Sequence, residues 1–198
     1  MTSPHEVSAR LPALAARAQL GNRAALEELL HCMQEPLRAH ITSIVGDSDI
    51  AADVLQESLL LICRHLGKVS DTRWVRAWAY RIATREAVRV ARKSSNRLFE
   101  SIDSMSPDSR PVADRPGDEL FERELVAELP GRIAALPASA QIALRMHYLD
   151  SLTQAEIAAA LEIPLGTVKS RIAYGLHCLR RDWVETGKAD VDWTTGLP

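Results

Sequence analysis

The chain has 198 residues, of which 46% are hydrophobic and 25% are charged, and its formal net charge is −2. These proportions are typical of ordinary globular proteins with one or two domains. No segment approaches the ~18 consecutive apolar residues of a membrane span. Residues 4–6, Pro-His-Glu, do not begin the apolar run of a signal peptide, so none is expected.

The cysteines and histidines predict neither a disulfide framework nor a metal site. The three cysteines are widely spaced and form no C-x-x-C pair: Cys32, Cys63 and Cys178. An odd count also argues against disulfide pairing. His31 and His177 each precede a cysteine, but no third or fourth ligand stands at a suitable spacing. We therefore expect a cytoplasmic protein without a metal or cofactor.

Nearly every patterned segment has the period of a helix, and strand alternation is absent. The predicted helices are 6–20, 22–43, 48–66, 72–94, 118–135, 138–149, 153–161 and 165–183. Pro130-Gly131 should break or kink the fifth of them. The sequence thus predicts an all-α protein.

Composition changes near Asn96, where the chain becomes rich in Ser, Asp, Pro and Arg. This change predicts a flexible, acidic linker over 96–117 between helical domains at 1–95 and 118–185, with a tail over 186–198. Charge is segregated as well. Residues 73–97 hold eight basic and one acidic residue, whereas 98–128 hold nine acidic and three basic. Local sign governs nucleic-acid contact more than the total charge does.

The third predicted helix has an acidic and polar face. Its members are Asp49, Asp53, Gln56 and Glu57. Ile50, Val54 and Ile62 populate another face of the same helix. An acidic stripe is either a solvated surface or a docking surface for a basic partner, and the pattern alone leaves both open.

The fourth predicted helix carries aromatic and basic residues within an arc of about 80°. They are Trp74, Trp78, Arg81, Arg85, Arg89 and Arg92, followed by Lys93. Bases stack on aromatic rings and arginine neutralises phosphate, so this face is typical of a single-strand binder. The alternatives are core packing for the tryptophans and a solvated face for the arginines, which lack evident acidic partners. Glu86 lies on the adjoining side, where the pattern does not explain it.

Residues 152–172, LTQAEIAAALEIPLGTVKSRI, predict two short helices that meet at a tight corner. Thr153 and Glu156 have the spacing of a capping box, and Pro164 suits the first turn of the second helix. A helix-turn-helix would place that second helix in the major groove. The candidate DNA-contacting residues are Thr167, Lys169, Ser170, Arg171 and Tyr174. A plain helical hairpin with a solvated polar face is the alternative.

The order of these elements resembles the extracytoplasmic-function (ECF) sigma factors of the sigma-70 family, two-domain specificity subunits of bacterial RNA polymerase. The resemblance covers residues 15–93 and 118–183. It rests on four segments together: GNRAALEELL, DIAADVLQESLLLICRHL, RAWAYRIA and LTQAEIAAALEIPLGTVKSRI.

No glycine-rich loop that could cradle a phosphate is present, and no local motif gathers Ser, His and Asp as a triad, so we expect no catalytic centre. The resemblance implies a role for each surface. Asp49, Asp53, Gln56 and Glu57 match the segment that binds core polymerase. The loop 67–72 and the helix 74–93 match the element that opens the minus-ten region and holds a flipped base. Residues 167–171 match the helix that reads the minus-thirty-five duplex. A regulator, commonly an anti-sigma factor, is also implied.

Six positions depart from the pattern of that family: Ala52, Arg85, Arg89, Glu162, Tyr174 and Leu176. In that family an acid is frequent at position 52, Asn and Asp at positions 85 and 89, and arginines at positions 174 and 176. Gly is usual at position 162, so Glu162 implies mild strain or an altered turn.

Two other functions remain open at this point. A dimeric helix-turn-helix regulator would bind duplex operator DNA tightly without polymerase. An adaptor would bind polymerase firmly without supporting initiation. The promoter, the inducing signal and the regulator cannot be read from the sequence.

Overall fold

The computed structural model describes residues 4–94, 131–133 and 136–185, and within these ranges the chain forms helices and no strand. The first four helices are α1 (Pro4–Gln19), α2 (Arg23–Val45), α3 (Ser48–His65) and α4 (Val75–Ser94). Later in the described residues come α5 (Ala138–Leu144), α6 (Gln154–Leu161) and α7 (Leu165–Glu185). The all-α prediction is confirmed. Predicted linker 96–117, tail 186–198 and most of predicted helix 118–135 lie outside the described residues.

The connection between α2 and α3 is fixed by local hydrogen bonds. Gly46 adopts a left-handed conformation with φ 79°, and its N–H donates to the Thr42 carbonyl at 2.8 Å. Asp47 then caps α3, because its carboxylate accepts from the backbone N–H groups of Asp49 and Ile50. These two caps set the direction in which α3 leaves the turn.

Two short 3₁₀ turns, Leu66–Lys68 and Thr72–Trp74, connect α3 to α4. The Gln19 side-chain amide donates to the carbonyls of Leu66 and Val69 at 2.9 and 2.8 Å. Asp71 caps the second turn by accepting from the Arg73 backbone N–H at 3.0 Å. The loop that precedes α4 is therefore tethered at both ends.

The helices from α1 to α4 pack around an apolar core in which α2 contacts each of the others. Its largest buried side chains are Leu29, Leu37, Ile41, Ile62 and Tyr80. Each such side chain contributes about 1.5–3 kcal/mol by leaving water. Val54 and Ile62 of α3 are buried, as their spacing predicts.

The second group of helices is built around α7, which packs against both α5 and α6. The predicted helix 138–149 is α-helical only to Leu144 and continues as a π-helical turn, Arg145–Leu149. A Cβ atom at Gly175 would lie 2.5 Å from Leu144 Cδ1, so α5 and α7 approach closely there. Among buried members of this core are Leu144, Met146, Leu152, Ile157, Val168 and Leu179.

The two groups pack on each other, chiefly through α4 and α6, and their buried apolar residues form one continuous cluster. Of the helices described, none is both long enough and apolar enough to cross a membrane. Over the same residues, no group of three or more His, Cys, Asp or Glu side chains is arranged to hold a metal ion.

Candidate nucleic-acid interface

The acidic face of α3 points to solvent. Asp49, Asp53, Gln56 and Glu57 are all exposed, and so is Ala52. Leu60, one turn beyond Gln56, is 43% exposed although it is a large apolar residue. Sequence reasoning missed Leu60, although its spacing of seven residues from Asp53 places it on the same face.

The aromatic-basic face of α4 extends along the whole helix. Trp74, in the 3₁₀ turn that leads into the helix, is 41% exposed, whereas Trp78 is half-buried and packs against the core. The alternative of core packing thus holds in part for Trp78, whereas it does not hold for Trp74. The basic residues are exposed at Arg85, Arg89, Arg92 and Lys93, and half-buried at Arg81.

A cavity of about 500 Å³ lies beside the two tryptophans. The loop before α4 contributes Lys68, Ser70 and Asp71, and α4 contributes Arg81 and Arg85 in addition to its tryptophan. The hydrogen bond from the Arg73 side chain lowers the pKa of Asp71, so this carboxylate stays ionised to lower pH than an ordinary aspartate would. Ala159 of α6 borders the cavity from the other group of helices.

The predicted helix-turn-helix is formed by α6 and α7. The Thr153 hydroxyl accepts from the Glu156 N–H at 3.2 Å, while the Glu156 carboxylate accepts from the Thr153 N–H at 2.8 Å. The capping box is therefore confirmed. Glu162 ends α6 in the left-handed region with φ 56° and ψ 41°. The expectation of strain or an altered turn at this residue agrees with that backbone, which glycine adopts at less cost.

The candidate duplex-reading residues differ in exposure. Lys169 and Ser170 are exposed, whereas Thr167, Arg171 and Tyr174 are half-buried. A hydrogen bond with the Cys178 thiol raises the pKa of Tyr174. The apolar side of α7 faces the core, with Val168, Ile172 and Leu179 buried. The local geometry of α6 and α7 thus leaves one polar surface for a partner.

Arg171 lies closer to α4 than the sequence suggests. Together with Arg85, Arg89 and Arg92 it lines a second cavity, of about 450 Å³, between α4 and the later helices. Ile142 and Ile163 supply part of its apolar wall. The structure therefore brings a residue predicted to read duplex DNA next to residues predicted to bind the opened strand.

The expectation that the α4 arginines lack acidic partners is wrong for three of them. The Arg89 side chain donates to Glu86 at 2.8 Å, which also explains Glu86. Arg81 and Arg85 both donate to the carboxylate of Glu162, with Arg81 at 3.2 Å. Two of the six positions that depart from the family pattern, Arg85 and Glu162, thus contact each other.

A second polar contact between the two groups of helices was not foreseen. The Arg76 guanidinium donates to the backbone carbonyls of Asp150 and Ser151, the latter at 3.1 Å. Ser151 has a positive φ of 54°. The sequence pattern does not predict this contact. Arg76 lies outside the aromatic-basic arc, and its acceptors are main-chain atoms.

Behind Arg76 lies a buried polar cluster. His40 is fully buried, and its Nε2 shares a 2.8 Å hydrogen bond with the Thr84 hydroxyl. Its ring and the Tyr80 ring pack in a T-shaped arrangement with a centroid distance of 5.1 Å. Burial raises the pKa of Tyr80 far above its usual range, and the negative charge of Asp150 adds to the rise.

Comparisons with known proteins agree with this arrangement. The family model for sigma-70 region 2 matches residues 29–97, and the model for sigma-70 region 4 matches residues 132–181. The chain is 33% identical over 148 residues to the ECF RNA polymerase sigma factor SigL of Mycobacterium tuberculosis, an alignment that covers 73% of this chain and 80% of SigL. This chain belongs to the ECF sigma factors.

This sigma factor is also similar to a second curated relative and to a solved structure. It is 26% identical over 168 residues to the ECF RNA polymerase sigma factor SigW of Bacillus subtilis, covering 81% of this chain and 90% of SigW. A solved structure of CnrH in complex with the cytosolic domain of CnrY shares the fold, with a TM-score of 0.64 and 20% identity over 88% of this chain and 97% of CnrH. The region 2 match contains α3 and α4, and the region 4 match contains α5 and α6.

Proposed function

We propose that this sigma factor docks on core RNA polymerase through α3, opens the minus-ten region with α4 and reads the minus-thirty-five duplex with α7. As a sigma factor it serves promoter-specific transcription initiation. The proposal assigns each step to a surface. The predicted domain 1–95 would then dock on polymerase and open the strand. The predicted domain 118–185 would recognise the duplex.

One observation carries the proposal: neighbouring helices present opposite charges to solvent. Asp53 and Glu57 on α3 suit a basic partner, while Arg85, Arg89 and Arg92 on α4 suit phosphate. The names of the relatives, RNA polymerase sigma factors, support polymerase as the partner of the acidic face. The basic face then meets DNA within the assembled complex.

The opening step requires binding energy and no chemistry from this chain. The exposed Trp74 and the cavity beside it suit an unpaired base, which stacks on an aromatic ring. Capture of such bases offsets the cost of unpairing, about a few kcal/mol per flipped base. Sigma factors generally act by binding, and we assign this chain no catalytic residue, metal or cofactor.

Residues on the polar surface of α7 would contact the minus-thirty-five duplex. Lys169 and Ser170 are exposed for phosphate and base contacts, and Arg171 suits a guanine edge. Since the proposed partner is RNA polymerase, we expect the protein to act in the cytoplasm. The complex of CnrH with the cytosolic domain of CnrY supports a protein regulator here too, of the anti-sigma kind.

Run-off transcription with purified core RNA polymerase tests the proposal. The template is a promoter library randomised over the minus-thirty-five and minus-ten regions. We expect defined start sites only when this protein is added. Absence of both initiation and core binding by the purified protein would contradict the proposal. Tight binding of duplex DNA by a dimer without polymerase would instead favour an operator-binding regulator.

A further inference from the structure

We propose that Leu165 of α7 packs against the C5-methyl group of a thymine in the minus-thirty-five duplex and gives the promoter a preference for thymine at that position. This inference rests on the proposed role of α7 in reading the duplex, and it names a side chain that distinguishes one base there. The group it would recognise is the thymine methyl, the apolar feature that base edges present in the major groove.

Leu165 is exposed although the helical period would bury it. It lies three residues before Val168 and seven before Ile172, and both of those side chains are buried in the core. Leu165 is nevertheless 45% exposed, because it stands in the first turn of α7, at the edge of that core. Packing among the described residues therefore leaves much of a large apolar side chain in contact with water.

The position of Leu165 is the one from which a helix-turn-helix contacts bases. The N-terminal residues of a recognition helix are those that reach base edges. In α7 these are Leu165 and Gly166, and both are exposed. An added Cβ at Gly166 would meet no atom within 4 Å. This end of α7 can therefore approach the floor of the groove closely, with the Leu165 side chain beside the contact.

Lys169, one turn further along α7, gives the same surface a means of holding DNA. It is exposed and lies four residues from Leu165, so the two side chains are neighbours on the helix. A lysine in this place binds a phosphate oxygen, which fixes the orientation of the helix but carries no sequence information. The apolar neighbour is then free to discriminate between bases.

The chemistry of the leucine side chain selects thymine. It has no hydrogen-bonding atom, so it gains nothing from the donors and acceptors of the other base edges. It gains free energy when apolar surface leaves water, and the thymine methyl supplies such surface. Cytosine would instead place its amino group, a donor without a partner, against the leucine. Loss of the methyl group alone should reduce promoter use about two- to fivefold.

Competitive run-off transcription with the assembled holoenzyme tests the proposal. The minus-thirty-five sequence is first selected from the randomised promoter library. Two templates that give transcripts of different length then compete in one tube, and they differ in having thymidine or deoxyuridine at a single position, which removes only the methyl group. Each thymine of the site, on either strand, is changed in turn. We expect a position at which the wild type favours the thymidine template about two- to fivefold.

Substitution of Leu165 should change this ratio alone. Leu165→Ala should use the two templates equally, whereas Leu165→Met, which keeps an apolar side chain of similar volume, should retain the preference. The matched control is Leu20→Ala, the same change at an exposed leucine in the turn between α1 and α2, and it should behave like the wild type. Because the readout is a ratio within one enzyme preparation, partial unfolding of a variant does not alter it.

An unchanged thymine preference in Leu165→Ala would overturn the inference. So would a wild-type holoenzyme that is indifferent to every methyl group of the site, or a selected site built only of G·C pairs. Promoter-dependent initiation persists in each of these cases, so the proposed function would stand. Absence of initiation would instead contradict the proposed function, and this inference with it.

Discussion

The imidazole Nδ1 of His40 on α2 lies 3.5 Å from the carboxylate Oδ2 of Asp150, and both side chains are buried. Arg145 reaches the same carboxylate from within the second group of helices, at 3.8 Å. An ionisable residue thus sits inside the contact between the two groups. Its partners come from both sides, so its loss affects the chain as a whole.

Asp150→Ala should lower the free energy of unfolding by about 3 kcal/mol, because Arg145 would stay buried without its carboxylate. Urea denaturation followed by circular dichroism measures the change. Glu35→Ala, which removes an exposed ion pair, should shift stability by no more than about 0.5 kcal/mol. Equal effects of the two substitutions would mean that the buried cluster contributes nothing special.

Tyr80 should make the fold sensitive to alkali. Its pKa is raised in the folded state, so the neutral phenol is favoured there, while in the unfolded chain it ionises near a pH of about 10. Its contribution is fully present below that pH and is lost as pH rises above it. Tyr80→Phe should therefore lose less stability than the wild type between about pH 9 and pH 11, measured by urea titrations at each pH. Parallel curves for the two proteins would refute this reading.

Removal of the acidic charges on α3 should weaken assembly with polymerase. Asp53→Ala combined with Glu57→Ala should raise the Kd for core enzyme about tenfold, with a smaller salt dependence. Leu60→Ala should weaken binding without changing the salt dependence, because it removes only apolar contact. The double variant Glu27→Ala with Glu35→Ala on α2 makes the same charge change and should bind normally. Fluorescence anisotropy measures the three variants against the wild type.

Arg85→Ala combined with Arg89→Ala should impair promoter opening more than polymerase binding. Loss of two phosphate contacts to a single strand should reduce the slope of log K against log salt by about 1.4. Permanganate footprinting of unpaired thymines measures opening, and anisotropy measures core binding. Normal open complexes in this variant would show that the strand-binding surface lies elsewhere.

Gly175→Ala should destabilise the second group of helices by about 1 kcal/mol. The added Cβ would lie 2.5 Å from Leu144 Cδ1 and 3.4 Å from the Ala140 Cβ, in a packed core. Gly166→Ala provides the control, since no atom lies within 4 Å of its added Cβ and helix propensity then favours alanine. Thermal unfolding should thus shift in opposite directions for the two variants.

Local features of the helix-turn-helix could be predicted because their partners are close in sequence. Thr153 and Glu156 stand three residues apart, and the capping box between them needs only that spacing. The buried side of α7 follows from the helical period in the same way. The expectation of strain or an altered turn at Glu162 rests instead on the family pattern, in which glycine is usual at this position.

The contacts that join the two groups of helices could not be predicted. Glu162 is 81 residues from Arg81 and 77 from Arg85, and no periodicity spans such distances. Arg76 binds main-chain carbonyls, which every residue possesses, so its acceptors leave no trace in the sequence. The difference in exposure between Trp74 and Trp78 could not be predicted either, because both residues fall on the same arc of the helix.

The choice of carbonyl acceptors by Arg76 also bears on how this protein can diverge. Any amino acid placed at position 150 or 151 still offers a carbonyl oxygen, so a substitution at either position keeps an acceptor for Arg76. Only mutation of the arginine itself, or a shift of the turn, abolishes the bond. Substitution at position 162 therefore removes one polar contact between the two groups of helices and leaves the bonds made by Arg76 in place.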